Sequence, residues 1–166
     1  MITQIIIGIV IAIVSSTITY LFSQHQFYNS FYYQNSIDFV KRYHLKLLSS
    51  IHNVNYHIYL ISNPEIDVDM DIKIDGLKNA LKFFGISINE YVANGGVILL
   101  RRLNERLAAL ILGLQGRQDL WNMEEPYSEE TGEFNFNASI FPELLEQFNK
   151  ISLKHIVSSY KAILKK

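Results

Sequence analysis

The stretch ITQIIIGIVIAIVSSTITYLF, residues 2–22, decides the fold class, because it runs for 21 residues without a charged side chain. A helix of about 20 apolar residues, rising 1.5 Å per residue, spans the ~30 Å hydrocarbon core of a bilayer. No basic residue precedes the stretch and no small-residue cleavage site follows its isoleucines, as a secretory signal peptide would require. We therefore predict a retained transmembrane anchor over residues 1–24 and a separate domain over residues 25–166.

The first basic residues after the anchor predict its orientation. Lys41, Arg42 and Lys46 follow the apolar stretch, and nothing basic precedes it. Because the cytoplasmic flanks of membrane helices carry an excess of Lys and Arg, we predict a single-pass protein with its C-terminal domain in the cytoplasm. Between the anchor and these cations lies an aromatic cluster, which is explained either by an interfacial belt or by helix packing just above the membrane. The cluster consists of Tyr20, Phe22, Phe27, Tyr28, Phe31, Tyr32 and Tyr33.

Polar and small residues of the anchor share one face of the predicted helix. They follow one another at intervals of four, four, three and four residues. On a helix that turns ~100° per residue, this spacing places them within an arc of roughly 80°. Small residues at such a spacing let helix backbones approach closely, and Gln, Ser and Thr hydrogen-bond between helices, so we predict self-association; a pore lining and a plain anchor are the alternatives. The residues of this stripe are Gln4, Gly8, Ala12, Ser15 and Thr19.

Composition limits the chemistry that the chain can perform. Of its 166 residues, 49% are hydrophobic and 19% charged, and the formal net charge is −1. The absence of cysteine excludes a disulfide framework, a zinc ribbon and a thiol nucleophile. The usual phosphate-loop, zinc-protease, dinucleotide and serine-hydrolase motifs are missing, and no two of the five histidines lie four residues apart. We predict a protein that is not an enzyme and that holds neither a metal nor a cofactor.

Charge is distributed unevenly along the chain. Residues 65–75 and 124–133 hold five acidic residues each, and the rest of the chain keeps fourteen cations and six acids, a net charge of +8. Such a basic surface suits anionic lipid headgroups or RNA. Because no RNA-recognition motif is present, we favour the alternative that acidic loops dock on basic helices of the same or a neighbouring subunit. Arg101, Arg102 and Arg106 are the candidate anion-binding residues, with the solvated face of an amphipathic helix as the alternative.

Apolar residues at helical spacing predict helices over residues 36–61, 71–93, 97–118 and from Pro142 to the end of the chain. Asn63-Pro64 and Asn94-Gly95-Gly96 are the predicted ends of the first two. We therefore predict an all-α fold, in which the N-terminal transmembrane helix is followed by a cytoplasmic antiparallel bundle.

Residues 65–75 alternate strictly between charged and apolar side chains. We interpret them as a solvated connection leading into the next helix, because a lone strand would have no partner. The Asp67-x-Asp69-x-Asp71 spacing does not predict a calcium loop. Ile72 and Lys78 stand where that loop needs glycine and glutamate.

One short pattern in the predicted last helix combines a cation with a histidine. Residues 150–155 run Lys150-Ile151-Ser152-Leu153-Lys154-His155. The pattern resembles the Arg-apolar-x-x-x-His motif of HEPN-family helical ribonucleases, with Lys150 in place of arginine. A guanidinium binds a phosphate through two parallel N–H donors, and histidine transfers a proton near neutral pH. Lysine keeps the positive charge but cannot bind the phosphate in this bidentate way. The resemblance makes Lys150 and His155 degenerate catalytic candidates and implies no robust RNA cleavage; the alternative is two exposed basic residues on one terminal helix.

The anchor, the helical domain and this motif together resemble the small membrane accessory proteins encoded beside type VI-B CRISPR RNA-guided ribonucleases. That resemblance implies a HEPN-like domain, a ring of copies whose membrane helices form a pore, and depolarisation of the bacterial inner membrane during phage infection. The stripe from Gln4 to Thr19 would then face the ring axis or a neighbouring helix. The implied partners are further copies of the chain, the lipid bilayer and an RNA-guided ribonuclease acting upstream. Two other classes stay open: a membrane-anchored helical sensor of a nucleotide second messenger or RNA, and a non-enzymatic membrane scaffold.

Overall fold

The computed structural model describes the backbone of residues 2–165 and the side chains of residues 15–165. Most of this described chain is helical, which confirms the predicted all-α class. The elements in chain order are α1 (Ile2–Phe39), a π-helical segment (Val40–His44), α2 (Leu45–Ser62), α3 (Met70–Ala93), α4 (Gly96–Leu103), α5 (Glu105–Gln115), α6 (Gln118–Trp121), a hairpin of β1 (Tyr127–Ser128) and β2 (Glu133–Phe134), α7 (Ile140–Asn149) and α8 (Leu153–Leu164).

The first helix continues without interruption into the bundle. The π-helical segment joins α1 directly to α2, and the dihedral angles stay helical at Phe39 (φ −57°, ψ −49°) and at Leu45 (φ −68°, ψ −33°). α2 ends before Asn63-Pro64, where Asn63 is extended (φ −117°, ψ 93°) because a following proline disfavours helical angles. The predicted helix end at this dipeptide is confirmed.

α3 begins and ends close to where the sequence places it. The carboxylate of Asp69 accepts a hydrogen bond from the backbone N–H of Asp71 at 3.0 Å and caps the helix, so the alternating segment is a short turn followed by the first turns of α3. Lys73, in that same segment, is buried and donates to the carbonyl of Ile66 at 3.0 Å. At the other end Gly95 takes a positive φ of 86°, the left-handed conformation that favours glycine after a helix.

The helix predicted over residues 97–118 is two helices, so that prediction is wrong. The chain breaks at Asn104, whose backbone is extended (φ −160°, ψ 98°) between α4 and α5. The side-chain oxygen of Asn104 accepts a hydrogen bond from the backbone N–H of Leu107 at 3.0 Å, which caps α5. The apolar period of the sequence continues across this position and therefore conceals the break.

The helix predicted from Pro142 to the end of the chain is also interrupted, which corrects a second prediction. α7 ends at Asn149, and Ser152 is extended (φ −70°, ψ 141°) before α8 begins. The hydroxyl oxygen of Ser152 accepts a hydrogen bond from the backbone N–H of His155 at 3.3 Å. Lys150 and His155 therefore belong to different helices.

The core lies where α2 and α3 pack against each other and where α7 covers them. Leu47 and Ile51 of α2 and Leu77 of α3 are fully buried. Phe84 of α3 meets Phe141 of α7 edge-on, with ring centroids 5.2 Å apart. These buried faces position α1 and α8 side by side at one edge of the bundle.

Candidate functional site

The N-terminal part of α1 extends away from the bundle. Every residue from Ser15 to Tyr28 is exposed, and the first partly buried position is Asn29. Residues 15–33 are here named the projecting segment. Eight of its large apolar and aromatic side chains are each 51% to 67% exposed, and exposed apolar surface of this extent indicates contact with lipid or with another protein. These side chains are Ile18, Tyr20, Leu21, Phe22, Phe27, Tyr28, Phe31 and Tyr33.

A membrane-spanning helix is not found among the residues whose side chains are described: none of those helices is by itself both long and apolar enough to cross a bilayer. Helices α3 and α4, bent by 81° where they join, meet the requirement of length and composition only as a pair. Residues 2–14, the larger part of the predicted anchor, lie outside the described side chains. The anchor therefore stays a prediction.

Only two residues of the predicted association stripe have described side chains. Gln4, Gly8 and Ala12 lie outside that range, and Ser15 and Thr19 are exposed. The Thr19 hydroxyl donates to the Ser15 carbonyl at 2.8 Å, one turn back along the same helix. A helix hydroxyl bonded in this way has its proton satisfied locally and keeps lone pairs that can accept from a neighbouring helix.

α8 packs across α1 at the point where the projecting segment leaves the bundle. The ring of Tyr160 stacks on Phe39, with centroids 4.0 Å apart. Lys165 directly follows the last residue of α8, and its ammonium donates to Asn29 Oδ1 at 3.0 Å and lies 6.0 Å from the centre of the Tyr32 ring. The end of α8 is thereby fixed beside the exposed part of α1, a contact for which the sequence carries no local signal.

A groove of about 410 Å³ opens beside this contact, between α1 and α8. Its apolar side is formed by the half-exposed side chains of Tyr33 and Leu153. Its charged members are both lysines, Lys154 and Lys161, so the groove joins apolar surface to positive charge. The full lining is Tyr33, Leu153, Lys154, Val157, Ser158 and Lys161.

A buried polar pair lies beneath the π-helical segment. His44 is 1% exposed, and its Nδ1 is 3.3 Å from the hydroxyl oxygen of the fully buried Tyr91. Burial lowers the pKa of His44 to about 4 and raises the pKa of Tyr91, because the low-dielectric surroundings disfavour the charged form of each. The rings of Phe148 and Tyr91 enclose the imidazole at 5.3 Å and 5.8 Å between centroids. His44 is thus neutral at pH 7 and shielded from water.

The three candidate anion-binding arginines differ in their surroundings. Arg101 and Arg102 are exposed at the end of α4. Arg106 is paired with Glu143 at 2.6 Å, and it lines a groove of about 390 Å³ whose other cation is Arg117. That second guanidinium is itself paired with Asp119 at 2.7 Å. Carboxylates therefore neutralise both cations of this groove.

Lys150 and His155 do not form a site together in the described chain. Lys150 directly follows α7 and is paired with Glu146 at 2.7 Å, and this hydrogen bond lowers the pKa of the Glu146 carboxyl. His155 is exposed in the first turn of α8. Both residues are exposed, as the alternative to a catalytic role had it, but they do not share one helix, because Ser152 caps a new one. Among the described residues, no group of three or more His, Asp or Glu side chains is arranged to hold a metal ion.

Two features of the described chain remain as candidates for function, the projecting segment and the basic groove between α1 and α8. They lie at the same edge of the bundle, because Lys165 of α8 reaches Asn29 of α1. Neither is a concave pocket with convergent catalytic groups, so both point to a surface role. No protein-family model matches this chain, and no curated protein or solved structure matches it either.

Proposed function

We propose that this chain is an oligomeric single-pass membrane effector. Residues 1–24 anchor it, copies associate through the anchor, the helical domain lies in the cytoplasm, and the assembly permeabilises or depolarises the inner membrane. The observation that carries the proposal is the projecting segment, in which every residue from Ser15 to Tyr28 is exposed on a helix that leads back into the uncharged stretch of residues 2–22.

The energetics of the projecting segment favour this role. Burying a Leu or Phe side chain contributes about 1.5–3 kcal/mol relative to leaving it in water. Phe22 and Phe27 are 66% and 67% exposed, and six further large apolar side chains accompany them. No Asp, Glu, Lys or Arg occurs before Asp38, so no charge has to be removed from water when this helix meets lipid or a second copy.

Charge at the base of α1 supports the proposed orientation. Lys41 and Arg42 lie in the π-helical segment, directly after the projecting segment and the last turns of α1. The groove lysines Lys154 and Lys161 add positive charge on the same edge. This asymmetry matches the excess of cations on the cytoplasmic side of membrane helices. The role in antiphage defence rests on the resemblance to the type VI-B accessory proteins.

The alternative, a sensor of a nucleotide or RNA, has weaker support in the described chain. A phosphate-binding groove needs cations that are free to reach the ligand. The guanidinium groups of Arg106 and Arg117 are already bound to carboxylates. Arg101 and Arg102 are the exposed pair on which that alternative depends.

The test is the mass of the detergent-solubilised protein, measured by light scattering with correction for bound detergent. We expect a large, uniform oligomer for the unmodified chain and its loss in Gly8→Leu/Ser15→Leu, because leucine keeps the backbones apart. Val10→Leu/Ile13→Leu is the matched control, since it changes the opposite face of the same predicted helix. A monomer in all three proteins would overturn the proposal.

A second measurement separates the effector from a scaffold. Vesicles that contain the protein and an entrapped dye are expected to leak with the unmodified chain and with the control, and to stay sealed with the stripe variant. Arg101→Glu/Arg102→Glu is expected to leak as the unmodified chain does. An oligomer that leaves the vesicles sealed would favour the scaffold.

A further inference from the structure

We propose that the lysines of α8 bind the headgroups of anionic phospholipids at the membrane surface from which α1 emerges. The inference rests on the proposed function, because it requires α1 to enter a bilayer. The site consists of Lys154, Lys161 and Lys165.

The three lysines form one line along α8. Their positions are seven and four residues apart, so at ~100° per residue they fall within an arc of roughly 40° on the helix surface. A single phosphate in a pocket calls for donors that converge on a point. A line of cations on one face instead suits a flat surface with many negative headgroups.

The lysines lie beside two positions of α1 that follow the uncharged stretch. Lys165 contacts Asn29, whereas Lys154 and Lys161 line the groove beside Tyr33. These positions on α1 are seven and eleven residues beyond Phe22, the last residue of the uncharged stretch, which corresponds to about 10–16 Å along a helix. The headgroup layer adds roughly 5–8 Å to each side of the hydrocarbon core, and the field of its charges extends a further ~8 Å at physiological salt. The lysine line is therefore within reach of the headgroups.

The charge of this edge is not cancelled within the chain. After Glu146 the remaining charged residues are all lysines, and Lys150 is the one held by that glutamate. In the part of the chain that the structure describes, no carboxylate lies in ion-pair contact with the three lysines of the line. The ammonium of Lys165 lies over the Tyr32 ring and donates to Asn29, so it is oriented beside α1 and keeps further donors for a phosphate oxygen.

The neighbouring side chains have the composition of an interfacial surface. Leu153 and Tyr33 are 50% and 51% exposed next to Lys154 and Lys161. Aromatic and aliphatic groups beside lysines are typical of surfaces that lie against headgroups, because the stems cover apolar area while the ammonium groups reach the phosphates. A soluble phosphate compound would use the same charge and would leave the apolar groups uncovered.

The test is native mass spectrometry of the full chain in detergent with an equal mixture of phosphatidylglycerol and phosphatidylcholine that carry the same acyl chains. We expect phosphatidylglycerol to be retained in preference by on the order of thirtyfold or more, the product of roughly fivefold for each of two or three lysines near an anionic surface. In Lys161→Gln/Lys165→Gln the preference is expected to fall to about fivefold or less, because Lys154 alone remains. Glutamine keeps the helix propensity of lysine, and circular dichroism verifies the fold.

Lys78→Gln/Lys82→Gln on α3 is the matched control, and it is expected to keep the preference of the unmodified chain. Equal retention of both lipids, or a preference that is undiminished in the α8 variant, would overturn the proposal. Displacement of the lipid by millimolar inorganic phosphate would overturn it in favour of a soluble phosphate ligand. Extraction of the membranes with alkaline carbonate tests the membrane anchor of the proposed function independently of the headgroup site. A chain that stays in the membrane pellet but shows no lipid preference contradicts only the headgroup site.

Discussion

His44 occupies the last position of the π-helical segment, and its side chain is buried in the core against Tyr91 and Phe148. Its imidazole is uncharged in the folded protein because burial lowers its pKa from 6.5 to about 4. In the unfolded chain the ring is solvated and its pKa returns to 6.5. Below pH 6.5 the unfolded chain therefore binds a proton that the folded chain does not, and the free energy of unfolding falls.

We predict that acid destabilises the protein between pH 6.5 and pH 4, with His44 contributing about 3 kcal/mol of the loss. Above pH 6.5 this contribution is constant, and below pH 4 it does not grow further. The measurement is denaturant unfolding in detergent at pH 7 and pH 4.5. In His44→Gln the free energy of unfolding is expected to fall less between pH 7 and pH 4.5 than in the unmodified chain. His52→Gln, which removes an exposed imidazole from α2, is expected to lose as much as the unmodified chain. A slope unchanged by His44→Gln would contradict the prediction.

Burial of individual polar residues is the part of the fold that the sequence does not predict. Lys73 lies in a run of alternating charged and apolar residues, which predicts a solvated side chain. In the structure it is buried, and its ammonium donates to the Ile66 carbonyl in the connection before α3. Nothing in the sequence around His44 separates it from the other four histidines. Its burial follows from packing against Tyr91 and Phe148, which are distant in the chain. Such burial depends on contacts between distant parts of the chain, which a local pattern does not contain.

At the scale of the elements, side-chain caps decide where helices begin. Asn104 accepts from the Leu107 N–H at 3.0 Å, and its amide donates to Gln147 Oε1 at 3.1 Å. The same residue therefore starts α5 and links it to α7. Ser152 plays the equivalent part for α8.

We predict that Asn104→Ala lowers the free energy of unfolding by about 1–2 kcal/mol, since it removes the cap and leaves Gln147 without this partner. Asn104→Ser keeps a hydroxyl acceptor for the Leu107 N–H and is expected to recover about half of the loss. Denaturant unfolding of the three proteins under one detergent condition measures the difference. Equal stability of the alanine variant and the unmodified chain would show that the cap has no energetic weight.

Helix ends marked by proline or glycine were predictable, and those marked by a polar cap alone were not. The ends at Asn63-Pro64 and at Gly95 follow from backbone restrictions that hold in any surroundings. At Asn104 and Ser152 the apolar spacing runs on, so periodicity predicts a continuous helix. Asparagine and serine also occur within helices, and tertiary contacts decide between the two outcomes.

At the scale of the whole molecule, the first and last helices pack together. Stacking of Tyr160 on Phe39 and the bond from Lys165 to Asn29 attach α8 along the base of the projecting segment. The candidate surface is thus assembled from residues more than a hundred positions apart. The sequence marked the aromatic cluster of α1, with an interfacial belt and helix packing as its two explanations, and it did not single out the lysines of the last helix. It held no information that they lie together, because that depends on how the helices of the bundle pack.

We predict that Tyr160→Ala loosens α8 selectively. Loss of the stacked ring and of its burial removes about 1–2 kcal/mol of local stability, which corresponds to roughly tenfold faster amide exchange across Leu153–Leu164. Exchange within α3 is expected to stay unchanged. Tyr160→Phe, which keeps the stack on Phe39, is the control. Equal acceleration in α3 and α8 would mean that the contact stabilises the whole bundle rather than the attachment of its last helix.

The π-helical segment joins α1 to α2 without an interruption of the helix, and the dihedral angles are helical at both of its flanks, Phe39 and Leu45. The rotation of α1 about its own axis is therefore set by the orientation of the buried face of α2. Adding or removing one residue in Val40–His44 turns everything on the N-terminal side by about 100° relative to the bundle. In the proposed oligomer, the length of this segment would decide which face of α1 a neighbouring copy meets when the helical domains are held in a fixed arrangement.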